Sequence, residues 1–184
     1  MAMGIYLNNN HKNEKVYLVG THALEQELKE YNINLVSDKP DIVVVGFDRE
    51  LNYSKLEKAC KFIDDGALFL ATNIDYVCPI KDNRYIPDCG SICQMITNAT
   101  KKEAKFIGKP EADMINILKE KYNLPNNKIA IIGDRVYTDI ACGYNANITT
   151  ICVLSGESTI DTINNSYIKP DYIFNSIKDI IDLI

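Results

Sequence analysis

Two aspartates and a lysine in the C-terminal half of the sequence have the side chains needed to bind a metal ion beside a phosphoryl group. Asp134 directly follows a short apolar stretch that ends at Gly133, and Asp139 comes five residues later. Two carboxylates suit Mg²⁺, a hard cation that binds one or two carboxylates together with water and phosphate oxygens. Lys109 adds a compact positive charge, which stabilises the negative charge that develops in phosphoryl transfer. Together the three residues predict a site for Mg²⁺ and a phosphoryl oxygen.

Each of these residues also has a purely structural explanation. An aspartate at the end of a strand often caps a helix or forms a turn, and Lys109 alone would be an ordinary surface lysine. The order of the three residues and their strand context favour the chemical interpretation. Gly133 supports it, because a residue without Cβ lets backbone or ligand approach closely.

The elements that must position these residues alternate between strand and helix, which is typical of a parallel sheet. The predicted strands are 15–19, 41–47, 67–72, 129–132, 149–154 and 172–174. The predicted helices are 21–31, 53–65, 91–99, a helix that begins at Pro110, and 177–184 with Ser176 as N-cap. In open parallel sheets functional groups gather beyond the carboxyl ends of the strands, which is where Asp134 lies.

Composition and motifs exclude several classes of function. The net charge is −5 without a long basic run, which argues against nucleic acid as a partner. No apolar run approaches the roughly 18 residues of a membrane span. The first residues lack a signal-peptide pattern, so we expect a cytoplasmic protein. None of the six cysteines forms a Cys-x-x-Cys zinc pattern, and no Gly-x-Gly-x-x-Gly follows a predicted strand, which argues against a dinucleotide-binding dehydrogenase.

Several longer strings resemble a known family. GKPEADMI (108–115) and IIGDRVYTDIACG (131–143) resemble motifs III and IV of the haloacid dehalogenase (HAD) superfamily of hydrolases. VVVGFDRELNYSKLEKA (43–59), ATNIDYVCP (71–79) and IPDCGSI (86–92) resemble its subfamily IIA, the 4-nitrophenylphosphatase and nucleotidase-like branch. The resemblance extends from about residue 16 to the last residue.

The resemblance implies an α/β fold with a Rossmann-like HAD core and a C2-type α/β cap. Residues 1–13 would be a remnant of a core helix and a linker, 14–104 the cap domain, and 105–184 the C-terminal part of the core. It also implies a magnesium-dependent phosphatase that hydrolyses phosphate monoesters of small molecules.

Roles for individual residues follow from the same resemblance. Lys109 would be catalytic, steadying the nucleophile and contacting the phosphoryl group of the substrate. Asp134 would bind Mg²⁺, and Asp139 would bind it directly or hold the lysine. Asn73 and Asp75, in the loop after a cap strand, would face the substrate. In the same region Asp88 stands where this branch usually has glycine, so the resemblance does not establish how this loop selects a substrate.

One part of the family pattern has no counterpart. Such enzymes carry Asp-x-Asp after their first strand, the first aspartate as nucleophile and the second as acid and base. The 184 residues contain no Asp-x-Asp. We therefore expect that the first part of the core is absent, that the strand 129–132 is an open edge, and that the chain is inactive alone. Its partner would then be a complementing N-terminal fragment or a second copy in a homodimer. The alternative is a non-catalytic ligand-binding or dimerisation module derived from the cap.

Overall fold

The structure, a computed structural model, describes residues 2–82 and 84–181 and divides the chain into two compact units between Gly108 and Lys109. The predicted α/β class is confirmed, since both units are parallel sheets with helices. Among the described residues, no helix has the length and apolar character needed to cross a membrane.

The first unit contains a five-stranded parallel sheet in the order β2-β1-β3-β4-β7. Its strands are β1 (Lys15–Val19), β2 (Asn34–Leu35), β3 (Ile42–Val45), β4 (Leu68–Ala71) and β7 (Lys105–Phe106). A separate antiparallel hairpin is formed by β5 (Val77–Ile80) and β6 (Arg84–Pro87). The helices are α1 (Ala2–Asn10), α2 (His22–Glu30), α3 (Tyr53–Asp64) and α4 (Cys89–Thr100).

Strand β3 explains why this sheet is covered on both faces. All four of its residues are fully buried, and side chains alternate between the two faces of a strand. Val43 and Val45 pack into a cluster with residues of α3 and α4, whereas Ile42 and Val44 pack into a second cluster with residues of α1 and α2. A continuous apolar run is the expected pattern for such a doubly covered strand.

Both ends of the first unit extend beyond the predicted domain limits. Helix α1 contributes Met3, Tyr6 and Leu7 to the second cluster. Strand β7 pairs with β4, and Ile107 is buried in the same cluster. The structure thus groups residues 2–13 and 105–108 with the first unit, whereas the sequence predicted boundaries after residue 13 and before residue 105. The assignment of the two units to cap and core stays a prediction.

The second unit contains a three-stranded parallel sheet in the order β10-β9-β8. Its strands are β8 (Ala130–Gly133), β9 (Thr149–Val153) and β10 (Tyr172–Phe174). Its helices are α5 (Asp113–Tyr122), α6 (Ala141–Asn145), α7 (Ile160–Asn165) and α8 (Lys178–Ile181), with a π-helical turn at Val136–Ile140. Within the described part of the chain β8 pairs only with β9, so it is an edge strand, as predicted.

One predicted helix begins later than expected, and another lies only partly within the described residues. The helix predicted from Pro110 begins at Asp113, because the carbonyls of Pro110 and Glu111 accept hydrogen bonds from the side chains of Asn145 and Cys142. The last predicted helix includes residues 182–184, which lie outside the described residues. Its observed part follows Ser176, whose hydroxyl accepts the N–H of Lys178 at 3.2 Å, in keeping with the predicted N-cap.

Candidate active site

Lys109 and Asp139 form a direct ion pair in the second unit. Lys109 Nζ lies 2.6 Å from Asp139 Oδ1. The Asp139 side chain is nearly buried, with 9% of its surface exposed, whereas the lysine side chain is 41% exposed. The second oxygen, Oδ2, accepts the backbone N–H of Arg135 at 3.2 Å. Of the two roles predicted for Asp139, holding the lysine is the one that this contact supports.

The backbone after β8 determines where Asp139 lies. Its π-helical turn, a conformation often found at functional sites, begins three residues after Gly133. A Cβ added to Gly133 would lie 2.2 Å from Asp139 Cβ, so only glycine leaves room for this side chain. Gly133 does not have a positive φ, so the close approach of Asp139 alone explains why this position requires glycine. Asp139 therefore contacts both sequence neighbours of Asp134.

Asp134 is held by the loop that follows β9. Its Oδ2 accepts the backbone N–H of Glu157 at 2.8 Å, and its carbonyl accepts that of Ser158 at 2.9 Å. A Cβ added to Gly156 would lie 2.0 Å from Asp134 Oδ2, so a second glycine makes room for a site carboxylate. Within the residues that the structure describes, no hydrogen bond involves the other oxygen, Oδ1.

The donor set fits Mg²⁺ in chemistry. Residues 2–82 and 84–181 contain no group of three or more histidine, cysteine and acidic side chains that could bind a metal ion. Among these described residues Asp134 and Asp139 are the candidate ligands, and Mg²⁺ accepts so few carboxylates because it retains water and binds phosphate oxygens.

Two further groups complete the local chemistry. Thr138 is 2% exposed, and over the described ranges its Oγ1 is a buried side-chain oxygen without a hydrogen-bond partner, which is uncommon. Burial raises the pKa of the Cys142 thiol to about 11, against the opposing effect of the positive charge on Lys109. The thiol is therefore protonated at neutral pH and is no substitute for a carboxylate nucleophile.

The predicted substrate residues lie in the first unit and are linked by hydrogen bonds. Asn73 and Asp75 follow β4, and Asn73 Nδ2 donates to Asp75 Oδ2 at 3.2 Å and to Asp88 Oδ1 at 3.3 Å. Thr72 Oγ1 donates to the side-chain oxygen Oδ1 of Asn73 at 2.9 Å. The structure thus joins Asn73 to Asp75 and Lys109 to Asp139, and Asp139 contacts the residues on either side of Asp134.

Asp88 has a clear structural role that the sequence analysis missed. Its Oδ1 accepts the backbone N–H of Cys89 at 2.6 Å, so it is the N-cap of α4. The helix was predicted to begin at Ser91, and the preference for aspartate at N-caps was the signal that would have moved its start to the correct residue.

The loop after β9, residues 155–158, was also missed. The signal for it was the rule that functional groups lie beyond the carboxyl ends of parallel strands, which applies to β9 as it does to β8.

Comparison with known proteins agrees with this geometry. A family model described as HAD-hydrolase-like matches residues 106–180. The acid sugar phosphatase of Staphylococcus epidermidis is 33% identical over 179 residues, which are 97% of this chain and 69% of that protein. Ribonucleotide monophosphatase NagD of Escherichia coli is 33% identical over 180 residues, or 98% of this chain and 70% of NagD.

The chain belongs to the HAD-like hydrolases of subfamily IIA. Solved structures agree with this assignment. The 4-nitrophenylphosphatase from Thermotoga maritima gives a TM-score of 0.92 at 32% identity, over 98% of this chain and 69% of that one. The p-nitrophenyl phosphatase from Archaeoglobus fulgidus gives 0.90 at 29% identity, over 100% and 72%. The predicted HAD-like α/β fold and phosphatase family are confirmed.

Proposed function

We propose that this chain provides the magnesium- and phosphoryl-binding part of a phosphatase that hydrolyses phosphate monoesters of small molecules. The observation that carries the proposal is the 2.6 Å ion pair between Lys109 and Asp139, formed on the same loop as Asp134. An ammonium group that is paired with one carboxylate, close in sequence to a second carboxylate at the end of a parallel strand, supports the proposal.

In this proposal each residue has a distinct task. Asp134 holds Mg²⁺ through the oxygen that Glu157 does not engage, and Asp139 orients the ammonium group of Lys109. Lys109 contacts a phosphoryl oxygen and compensates its negative charge. Mg²⁺, when bound, neutralises phosphoryl charge and orients the substrate.

The nucleophile must come from residues other than these 184. No Asp-x-Asp is present in them, and the Cys142 thiol near Lys109 is protonated because its pKa is about 11. We therefore propose that the 184-residue chain alone does not turn over phosphate monoesters. The open edge of β8 is the position at which a complementing strand would pair, since an edge strand presents unpaired backbone groups.

The substrate is proposed only as a class. The named relatives are a sugar phosphatase, a ribonucleotide monophosphatase and a nitrophenylphosphatase, which share a phosphate monoester on a small molecule. Asn73 and Asp75 are the residues that we propose to face the part of the substrate beyond the phosphate.

Calorimetric titration of Mg²⁺, with inorganic phosphate present, tests the metal site. We expect binding by the wild-type chain and a loss of at least about tenfold in affinity for Asp134→Asn, because a ligand oxygen loses its charge. Asp161→Asn, which removes an exposed carboxylate of the same unit, is the matched control. A wild-type chain that binds no Mg²⁺ would contradict the proposal and favour a non-catalytic module.

Hydrolysis of 4-nitrophenyl phosphate by the same samples tests the missing nucleophile. We expect the wild-type chain and Asp134→Asn to give the same background rate. A wild-type rate clearly above that of Asp134→Asn would show that the chain contains a nucleophile of its own.

A further inference from the structure

We propose that Glu157 is a positioning residue, which keeps the guanidinium group of Arg135 directed away from the metal-binding carboxylates. The inference rests on the proposed function, because it concerns the same magnesium site. Glu157 lies outside the strings that resemble the family motifs.

Glu157 connects the loop after β9 to the loop after β8 in three ways. Its backbone N–H donates to Asp134 Oδ2 at 2.8 Å. Its Oε2 lies 2.7 Å from Arg135 Nε, and its Oε1 accepts the hydroxyl of Tyr137 at 3.0 Å. The side chain thus binds Arg135 and Tyr137, which follow Asp134 in the sequence, while its backbone binds Asp134 itself.

The position of Arg135 makes this contact important for a cation site. Arg135 directly follows Asp134, and its backbone N–H already binds Asp139 Oδ2. A guanidinium group is always charged and pairs well with carboxylates. Near these aspartates it opposes the binding of a divalent cation, and the negative charge of Glu157 offsets that effect.

Stability does not explain the pair. The Glu157 side chain is 48% exposed, and ion pairs that are open to solvent add little to the stability of a protein. We therefore expect loss of the ion pair between Glu157 and Arg135 to change the affinity of the site for Mg²⁺ rather than the unfolding temperature.

Glu157→Gln tests the negative charge of the side chain, because it removes that charge and keeps the shape. Glutamine keeps the length of the side chain and an oxygen that can accept from Tyr137, so the fold is retained. We expect the Kd for Mg²⁺, measured by calorimetry, to rise about tenfold, in the range seen when partners of metal ligands are changed. Ser155→Ala, an exposed change in the same loop, should leave the Kd unchanged.

The double variant Arg135→Gln with Glu157→Gln distinguishes positioning of a charge from a structural role. Removing both charges should return the Kd to within about twofold of wild type. A double variant as weak as Glu157→Gln, or a Glu157→Gln variant with wild-type affinity, would overturn this inference alone. A wild-type chain without Mg²⁺ binding would overturn the proposed function as well, so the two failures are distinguishable. Thermal unfolding of every variant verifies that each is folded.

Discussion

The buried hydroxyl of Thr138 lies one residue before Asp139 and has no hydrogen-bond partner among the residues described. An unsatisfied buried polar group costs about 1–3 kcal/mol. Valine has almost the same shape without the polar atom. We therefore expect Thr138→Val to raise the free energy of unfolding by about 1 kcal/mol, measured by urea denaturation.

Thr100 provides the matched control for this change. It is also buried, but its Oγ1 donates to the carbonyl of Ile96 at 2.9 Å and accepts the N–H of Lys102. Thr100→Val should therefore lower the stability. A Thr138→Val variant destabilised as much as Thr100→Val would show that the Thr138 hydroxyl does have a partner.

For single residues, the sequence predicts the site residues that lie in a local motif. It misses the residues whose contacts arise only when distant parts of the chain fold together. Lys109 and Asp139 lie in short motifs, so the sequence could indicate that they act together, and the two side chains form an ion pair. Glu157 binds Asp134 across a sequence separation of 23 residues. That contact exists because β8 and β9 are neighbours. The rule on strand ends indicates the loop 155–158 as a whole, but it does not single out Glu157 or its contact with Asp134.

Strand β8 is the element with the clearest consequence for association. Ile132 is 43% exposed on this edge strand, and exposed apolar edges favour pairing with another chain. We expect the wild-type chain to self-associate as its concentration rises. Ile132→Lys should reduce this association in light-scattering measurements while changing the free energy of unfolding by less than about 0.5 kcal/mol.

Ile131, the preceding residue, is the control on the other face. It packs against the cluster that contains Ile115 and Cys142. Ile131→Lys should destabilise the second unit, because it places a charge against apolar side chains. Self-association of Ile132→Lys equal to that of wild type would exclude this edge as the cause.

Predictability of the elements depends on their length. The bounds of β1 and β10 were predicted correctly, and the doubly covered β3 was recognised from its apolar run. Strand β2 has two residues and helix α7 has six, which is too short for a periodic pattern to appear. The early start predicted for α5 failed because side chains from α6 occupy the carbonyls that would have begun the helix.

For the whole molecule, the two units differ in the size of their cores. The first has two large clusters, one on each face of its sheet, whereas the second has two small ones. A unit this small buries a smaller fraction of its surface on folding and is therefore only marginally stable. We expect a fragment of residues 1–108 to unfold cooperatively on heating and a fragment of residues 109–184 to show no cooperative transition, as followed by circular dichroism.

The intact chain is the control for this experiment, and a cooperative transition in the fragment 109–184 would contradict the prediction. The sequence predicted a cap of residues 14–104 and a core portion of residues 105–184, and this division stays a prediction; the two compact units meet between Gly108 and Lys109. Helix α1 and strand β7 belong to the first unit through their packing and pairing, which a local sequence pattern does not reveal.

Gly133 and Gly156 determine how much mutation the site tolerates. Every codon change that replaces either glycine adds a Cβ at 2.2 Å or less from an atom of Asp139 or Asp134. A natural variant at either position would keep all of the charged residues and still displace one of the two aspartates. If variants are classified only by whether the charged residues are retained, such a variant would be classified as intact. One of its two site aspartates would nevertheless be displaced.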